Sequence, residues 1–300
     1  MLRLGIVDFD SSHAIEFTRR FNRAGVDRDQ WVDGARVEMG CPGVSRMSPE
    51  RIPAISEQIR SWGVEIVEAP EERIGRVDAV LVLSLCGSAH LPGVRPFLEA
   101  GIPAYVDKPF ACSLGDAVEM IGTANEHETP LYHSSALPFS AEVLEFRERL
   151  DRVGPLHGAV SYGPAKRAAG NPGLFHYGIH AVAILFALMG PDCESVSCES
   201  AEGADVVTGR WSGGRIGVLR GNRDGATAYG FLAFCERGTI HRSVSTRYAY
   251  RNLCRSIVDG LSTGRPPVSH EHNLAEVRFV LAALKSGRNN AARVLPSSVH

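Results

Sequence analysis

Lys108 sits in Asp107-Lys108-Pro109, at the end of the apolar stretch 103–106. A lysine just past a strand of a parallel sheet stands at the sheet's carboxyl edge, where alternating strand–helix folds place ligands. There it can hydrogen-bond a hydroxyl, assist its deprotonation and stabilise the oxyanion that develops. Pro109 holds the preceding backbone extended, which aims Lys108 into a cleft. His180 opens the apolar run 181–189 and is a second candidate. Removing hydrogen from a carbinol requires a proton acceptor, and imidazole titrates near neutral pH. His176, four residues earlier, lies one helical turn away, so the two rings can share a face as substrate contacts. H-x-x-x-H is also a metal spacing, but the glutamate of H-E-x-x-H is missing and no metal is expected.

The opening turn carries a different chemistry. In LGIVDFDSSHA, residues 4–14, a short apolar run meets a polar turn and then a helix-like stretch. A dinucleotide-binding turn carries G-x-G-x-x-G, so that the backbone can approach a pyrophosphate at a helix N-terminus. Here those positions are Asp8, Asp10 and His13. A carboxylate about 5 Å from a phosphate adds repulsion of about 3 kcal/mol at an effective dielectric near 20. Ser11, Ser12 and His13 can offset that by donating hydrogen bonds to phosphate. The alternative is a turn capped by its own Asp10 or Ser11, with no ligand. Glu38 is the nearby acid for a ribose, and no arginine pair selects a 2′-phosphate, so NAD and NADP stay open.

These residues need a scaffold that lines up strand ends. Strand signals at 4–9, 35–39, 64–67, 78–85, 103–106 and 131–134 alternate with helix signals at 12–24, 49–62, 89–100 and 113–127. Such repeats with short connections predict a doubly wound parallel sheet of Rossmann type, α/β in class, over residues 1–130. From 131 to 300 the pattern changes. Strand-like segments at 156–162, 194–199, 205–211, 215–219, 228–235 and 239–244 are separated by SGG, NRDG and ERG turns, as in an antiparallel meander. With the helix ending at 189 and two more at 248–261 and 271–286, they predict an α+β domain with an open, mostly antiparallel sheet.

The 300 residues are 44% apolar and 22% charged, enough for a substantial core without metal or disulfide. A net charge of −2 gives no strong pull towards nucleic acid or a membrane surface. No run is long and apolar enough to span a bilayer, and the first residues lack the sections of a signal peptide. Seven cysteines without a C-x-x-C pair fit buried free thiols in a reducing cytoplasm.

FLEAGIPAYVDKPFACSLGDAVEMI resembles the Gfo/Idh/MocA family of oxidoreductases: a helix ending in E-A-G, a strand, a D-K-P in place of E-K-P, and another helix. His90, opening the preceding helix, fits the same pattern. So do GLFHYGIHAVAILFALMG, similar to the family's glycine-rich loop and G-x-H helix, and the closing GLSTGRPPVSHEHNLAEVRFVLAALKSG. Departures are the three fingerprint positions, His176 and Ala183 where the family often has aspartates, and Ser84-Leu85-Cys86 for a T-P-N-like turn.

The resemblance implies a Rossmann domain, an open-sheet domain for substrate and oligomerisation, and NAD(P)-dependent redox chemistry at a CH–OH group of a sugar, polyol or related small molecule. It implies a homo-dimer or tetramer. On that reading Asp8, Asp10, Ser11, Ser12, His13, Ser84, Leu85, His90, Asp107 and Lys108 line the cofactor groove, while Lys108, His180 and His176 meet the substrate. The alternatives are a lyase, isomerase or hydrolase on the same fold, with or without an assisting metal, or a ligand-binding protein without turnover that has lost nicotinamide binding.

Overall fold

The computed structural model describes residues 1–299, apart from the side chain of Arg73. Met1–Ser134 and Tyr250–Ser269 make one compact unit, and Ser135–Ala249 with the residues from His270 on make the other. This division differs from the 1–130 and 131–300 split expected from the sequence, because residues 131–133 and 250–269 pack with the first unit.

The first unit holds strands β1 (Leu2–Val7), β2 (Ala35–Cys41), β3 (Glu65–Ile66), β4 (Ala79–Val82), β5 (Ala104–Val106) and β6 (Leu131–His133). They form one sheet in the order β3-β2-β1-β4-β5-β6, and every neighbouring pair is parallel. All four residues of β4 are buried, which is why that segment reads as a continuous apolar run. Four helices connect the strands: α1 (Ser12–Phe21), α2 (Ile52–Ser61), α3 (His90–Glu99) and α4 (Leu114–Glu126).

Helix α1 buries Ala14, Phe17, Thr18 and Phe21 at the three- and four-residue spacing of one helical face. It stops at Phe21, short of the expected 24, because the Asn22 side chain brackets Val37, donating to its carbonyl and accepting from its N–H, both at 2.9 Å. The strand order reverses between β1 and β4, the switch point at whose carboxyl end such folds bind ligands.

In the second unit, β7 (Leu156–Pro164), β8 (Cys193–Ser200), β9 (Ala204–Trp211), β10 (Ile216–Asn222), β11 (Tyr229–Cys235) and β12 (Gly238–Val244) form a sheet ordered β12-β11-β7-β10-β9-β8. Only the β7–β10 pair is parallel. Helices α5 (Ala141–Glu148) and α6 (Leu150–Val153) precede the sheet, and α7 (Ile179–Met189) follows its first strand. Every residue of α7 but Ala187 is buried, so the helix is apolar all round.

The chain closes with α8 (Ala249–Thr263) and α9 (His270–Arg288). Phe186 of α7 meets Trp211 of β9 and Phe279 of α9 edge-on, at 5.6 and 5.3 Å between ring centres. Burying each such ring stabilises the unit by about 2–3 kcal/mol. Helix α8, from Tyr250 on, returns to the first unit: the Tyr132 hydroxyl donates to the Gly260 carbonyl at 3.0 Å, and Arg251 to the Asp29 carbonyl at 3.0 Å. No helix among the described residues is long and apolar enough to cross a membrane.

Candidate active site at the carboxyl edge of the parallel sheet

The polar turn after β1 is filled by its own side chains. Asp8 takes a left-handed backbone conformation (φ 68°), one that aspartate tolerates better than most residues. Its carboxylate accepts the Ser84 hydroxyl from the loop after β4. Asp10 is buried and spans three loops, accepting the Leu85 N–H at 3.0 Å through one oxygen and the Ser45 hydroxyl at 2.5 Å through the other. Ser11 caps α1 by accepting the His13 N–H at 3.2 Å.

The turn's first two amides are also engaged, Asp8 N–H with the Cys41 carbonyl and Phe9 N–H with the Pro42 carbonyl, each at 3.0 Å. Glycines make room for this plug. A Cβ on Gly40 would lie 2.3 Å from the Phe9 ring, and one on Gly43 would lie 1.8 Å from Asp8 Oδ1. Of the turn residues Asp8 to His13, Ser12 is the exposed one.

A second cluster lies at the end of β5. Lys108 is 8% exposed, and its Nζ is 3.9 Å from Asp107 Oδ2; the Lys108–Pro109 peptide is cis. The same Asp107 oxygen is 2.6 Å from His13 Nδ1, a close contact outside linear hydrogen-bond geometry. Nε2 of His13 is 2.8 Å from the Tyr250 hydroxyl. The Tyr105 hydroxyl stands 3.3 Å from Asp107 Oδ1 and donates to the Ser134 carbonyl at 2.6 Å.

Burial pushes the Asp107 carboxyl towards its neutral form, but His13 and Lys108 together outweigh that and hold it below the usual carboxylate range. For His13, burial dominates and Lys108 adds to it. Together they outweigh the pull of Asp107, so its imidazole is held below its ordinary value. Burial likewise pushes the Tyr105 phenol up and keeps it a donor.

Two more histidines of the first unit face backbone carbonyls of the chain itself. His90 is fully buried, with Nε2 2.9 Å from the Ser84 carbonyl and Nδ1 3.2 Å from that of Phe110, so both ring nitrogens face the chain's own backbone. His133 has Nδ1 2.8 Å from the Val106 carbonyl. Among the described residues no group of three or more His, Cys, Asp or Glu side chains is placed to hold a metal ion.

His180 and His176 belong to the second unit. His180, on the first turn of α7, has Nδ1 2.8 Å from the Ser135 hydroxyl and its ring edge-on to Tyr229 at 5.7 Å. His176 does not lie on that helix, contrary to the one-turn spacing expected. A 3₁₀ turn ends at Phe175, His176 departs from helical geometry (ψ −96°), and α7 begins at Ile179. Its ring packs edge-on against Tyr177 at 4.8 Å. Arg167 is 3.3 Å from Asp205, which Arg223 also binds at 2.5 Å.

The structure thus brings Lys108, Asp107 and His13 together, and separately ties Asp8, Asp10, Ser84 and Leu85 into one lock. Sequence reasoning missed Tyr250, Ser45 and Ser135, for which no local motif exists. The turn does not fit a dinucleotide in the usual seat. A pyrophosphate there would meet the carboxylates of Asp8 and Asp10 and would have to break the bonds from Ser84, Ser45 and Leu85.

Compared by sequence, the chain matches no protein-family model and no curated protein. Compared by structure, it matches solved dehydrogenases from end to end. A probable dehydrogenase from Thermotoga maritima is 20% identical, with 100% of each chain covered and a TM-score of 0.83. A putative myo-inositol dehydrogenase from Sinorhizobium meliloti is 16% identical over 98% of this chain and 99% of its own, with a TM-score of 0.82. The scyllo-inositol dehydrogenase of Lactobacillus casei, solved with NAD(H) and scyllo-inositol, is 15% identical over 99% and 100%, with a TM-score of 0.82. At low identity and over its whole length, the chain has the fold of these dehydrogenases.

Proposed function

We propose that the chain is an enzyme that moves a proton at a hydroxyl-bearing carbon of a small, sugar- or polyol-like substrate. Lys108 is the acid–base group, and His180 and His176 are substrate contacts. The observation that carries this reading is Lys108 itself, buried beside the Asp107 carboxylate at the carboxyl end of β5. All but three of the chain's 32 basic side chains are arginine. An arginine keeps its proton, whereas a lysine can exchange one with a substrate oxygen.

The chemistry has a redox and a non-redox form. NAD(P)-dependent oxidation of a CH–OH group is supported by the fold shared with dehydrogenases, one of them solved with NAD(H). A lyase, isomerase or hydrolase, in which proton transfer suffices, is supported by the filled turn after β1. We favour the non-redox form, because the filled turn belongs to this chain, whereas the fold is common to many activities. The same proposal has the protein working in the cytoplasm as a homo-dimer or tetramer.

Calorimetric titration of NADH and NADPH into wild type and Asp10→Gly tests the choice. We expect no binding by wild type and binding gained by the variant, in which the link across the loops is cut. Micromolar binding by wild type would overturn the non-redox form and return the chemistry to hydride transfer.

A further inference from the structure

His13 occupies the third fingerprint position, yet its ring is buried with a close partner at each nitrogen: Nδ1 is 2.6 Å from Asp107 Oδ2 and Nε2 is 2.8 Å from the Tyr250 hydroxyl. The three residues come from the start of α1, the end of β5 and the start of α8. We propose that Tyr250, His13 and Asp107 form an acid–base triad, with the Tyr250 phenol as a second group, beside Lys108, that exchanges a proton with substrate and the other two as positioning residues. The proposal rests on the acid–base reading above and holds for either of its forms.

The direction of the chain follows from what each group can do. An ionised carboxylate only accepts, so the proton of a neutral His13 sits on Nδ1, facing Asp107. Burial favours that neutral ring. Nε2 is then a bare lone pair, and the hydroxyl of Tyr250 donates to it. When the phenol ionises, its O–H bond breaks and a His13 Nε2–H bond forms. The result is a phenolate, an imidazolium and a carboxylate in line, with the cation between two anions.

The Arg20 guanidinium lies over the Tyr250 ring at 5.3 Å from its centre and favours a phenolate there, while Lys108, whose Nζ is 3.9 Å from the same Asp107 oxygen, keeps that carboxyl ionised. Phe17 and His13 stand edge-on to that ring, at 6.2 and 5.0 Å between centres, and fix its plane. This is the logic of a nucleophile or acid held by a histidine that a carboxylate orients, with a phenol in the first place. A simple tether for α8 would need the hydrogen bond but would not make the phenol reactive.

The test uses no substrate. Wild type, His13→Gln and Asp107→Asn are treated with N-acetylimidazole at neutral pH, and acetylation of each tyrosine is followed by mass spectrometry. Tyr177, 45% exposed, serves as the internal reference. In wild type Tyr250 is expected to react at least about tenfold faster than Tyr177, and in both variants within about twofold of it. No excess in wild type, or the same excess in both variants, would overturn the triad.

Should the variants not fold, imidazole nitrogen NMR of wild type decides. A His13 ring protonated on Nδ1 alone is expected. A ring protonated on Nε2 would make Tyr250 an acceptor and end the proposal. Micromolar NADH binding beside a reactive Tyr250 would overturn the non-redox form and leave the triad standing.

Discussion

Asp107 and His13 are a buried carboxylate and a buried imidazole 2.6 Å apart, and both make the first unit sensitive to acid, over different ranges. The folded His13 is held below its ordinary 6.5. As pH falls through 6.5 the unfolded chain takes up a proton that the folded chain refuses, so stability drops from there downward. The folded Asp107 is held below 3.8, so its contribution is complete above that value and is lost as pH falls through and below it. Urea midpoints measured from pH 7 downward are expected to decline in two stages. His13→Gln should flatten the stage that begins near pH 6.5, and Asp107→Asn the one below 3.8. A His13→Gln profile that still falls as steeply between pH 6.5 and 4.5 would show that the imidazole is charged in the folded chain.

The turn after β1 is an element built against the backbone preferences that usually govern it. Gly43 has φ +66° and its missing Cβ would overlap Asp8 Oδ1, so Gly43→Ala carries both backbone strain and displacement of Asp8. Together these are expected to cost about 2 kcal/mol or more in urea unfolding. In an Asp8→Gly background the overlap is gone and only the backbone part, about 1 kcal/mol, should remain. Equal costs in the two backgrounds would mean that Asp8 does not pack against Gly43.

The residues of this turn were legible in the sequence, as was the order of strands and helices, because both are written in short-range spacing. What Asp10 binds was not. Ser45 and Leu85 lie 35 and 75 residues away, and Tyr250 lies 237 residues from His13. The H-x-x-x-H spacing misled for a different reason. Four residues mark one face only where the backbone is helical throughout, and the chain from His176 to Gly178 is not yet in α7.

For the molecule as a whole, the question left by the fold is what covers the second sheet. Helices α7 and α9 pack on the face that carries Ala159, Leu219, Phe231 and Ala233, all buried. The opposite face carries Val160, paired with Val218 and Leu232, and beside them Ile216 and Phe234, each paired with Gly158. Ile216 is 45% and Phe234 42% exposed, so this row is an apolar strip open to solvent. Apolar strips on a sheet face favour association, and a two-fold axis through one lets each copy cover the other. The proposed dimer or tetramer is therefore expected to use this face. Phe234→Glu sets a charge on one side of the strip, against the apolar surface that a second copy would bring. Light scattering at micromolar concentration should give a homo-oligomer for wild type and a monomer for the variant. The variant's fold should be intact, because Phe234 contributes nothing to the core on the other face. A monomeric wild type, or a variant that assembles as wild type does, would assign the strip no role in assembly.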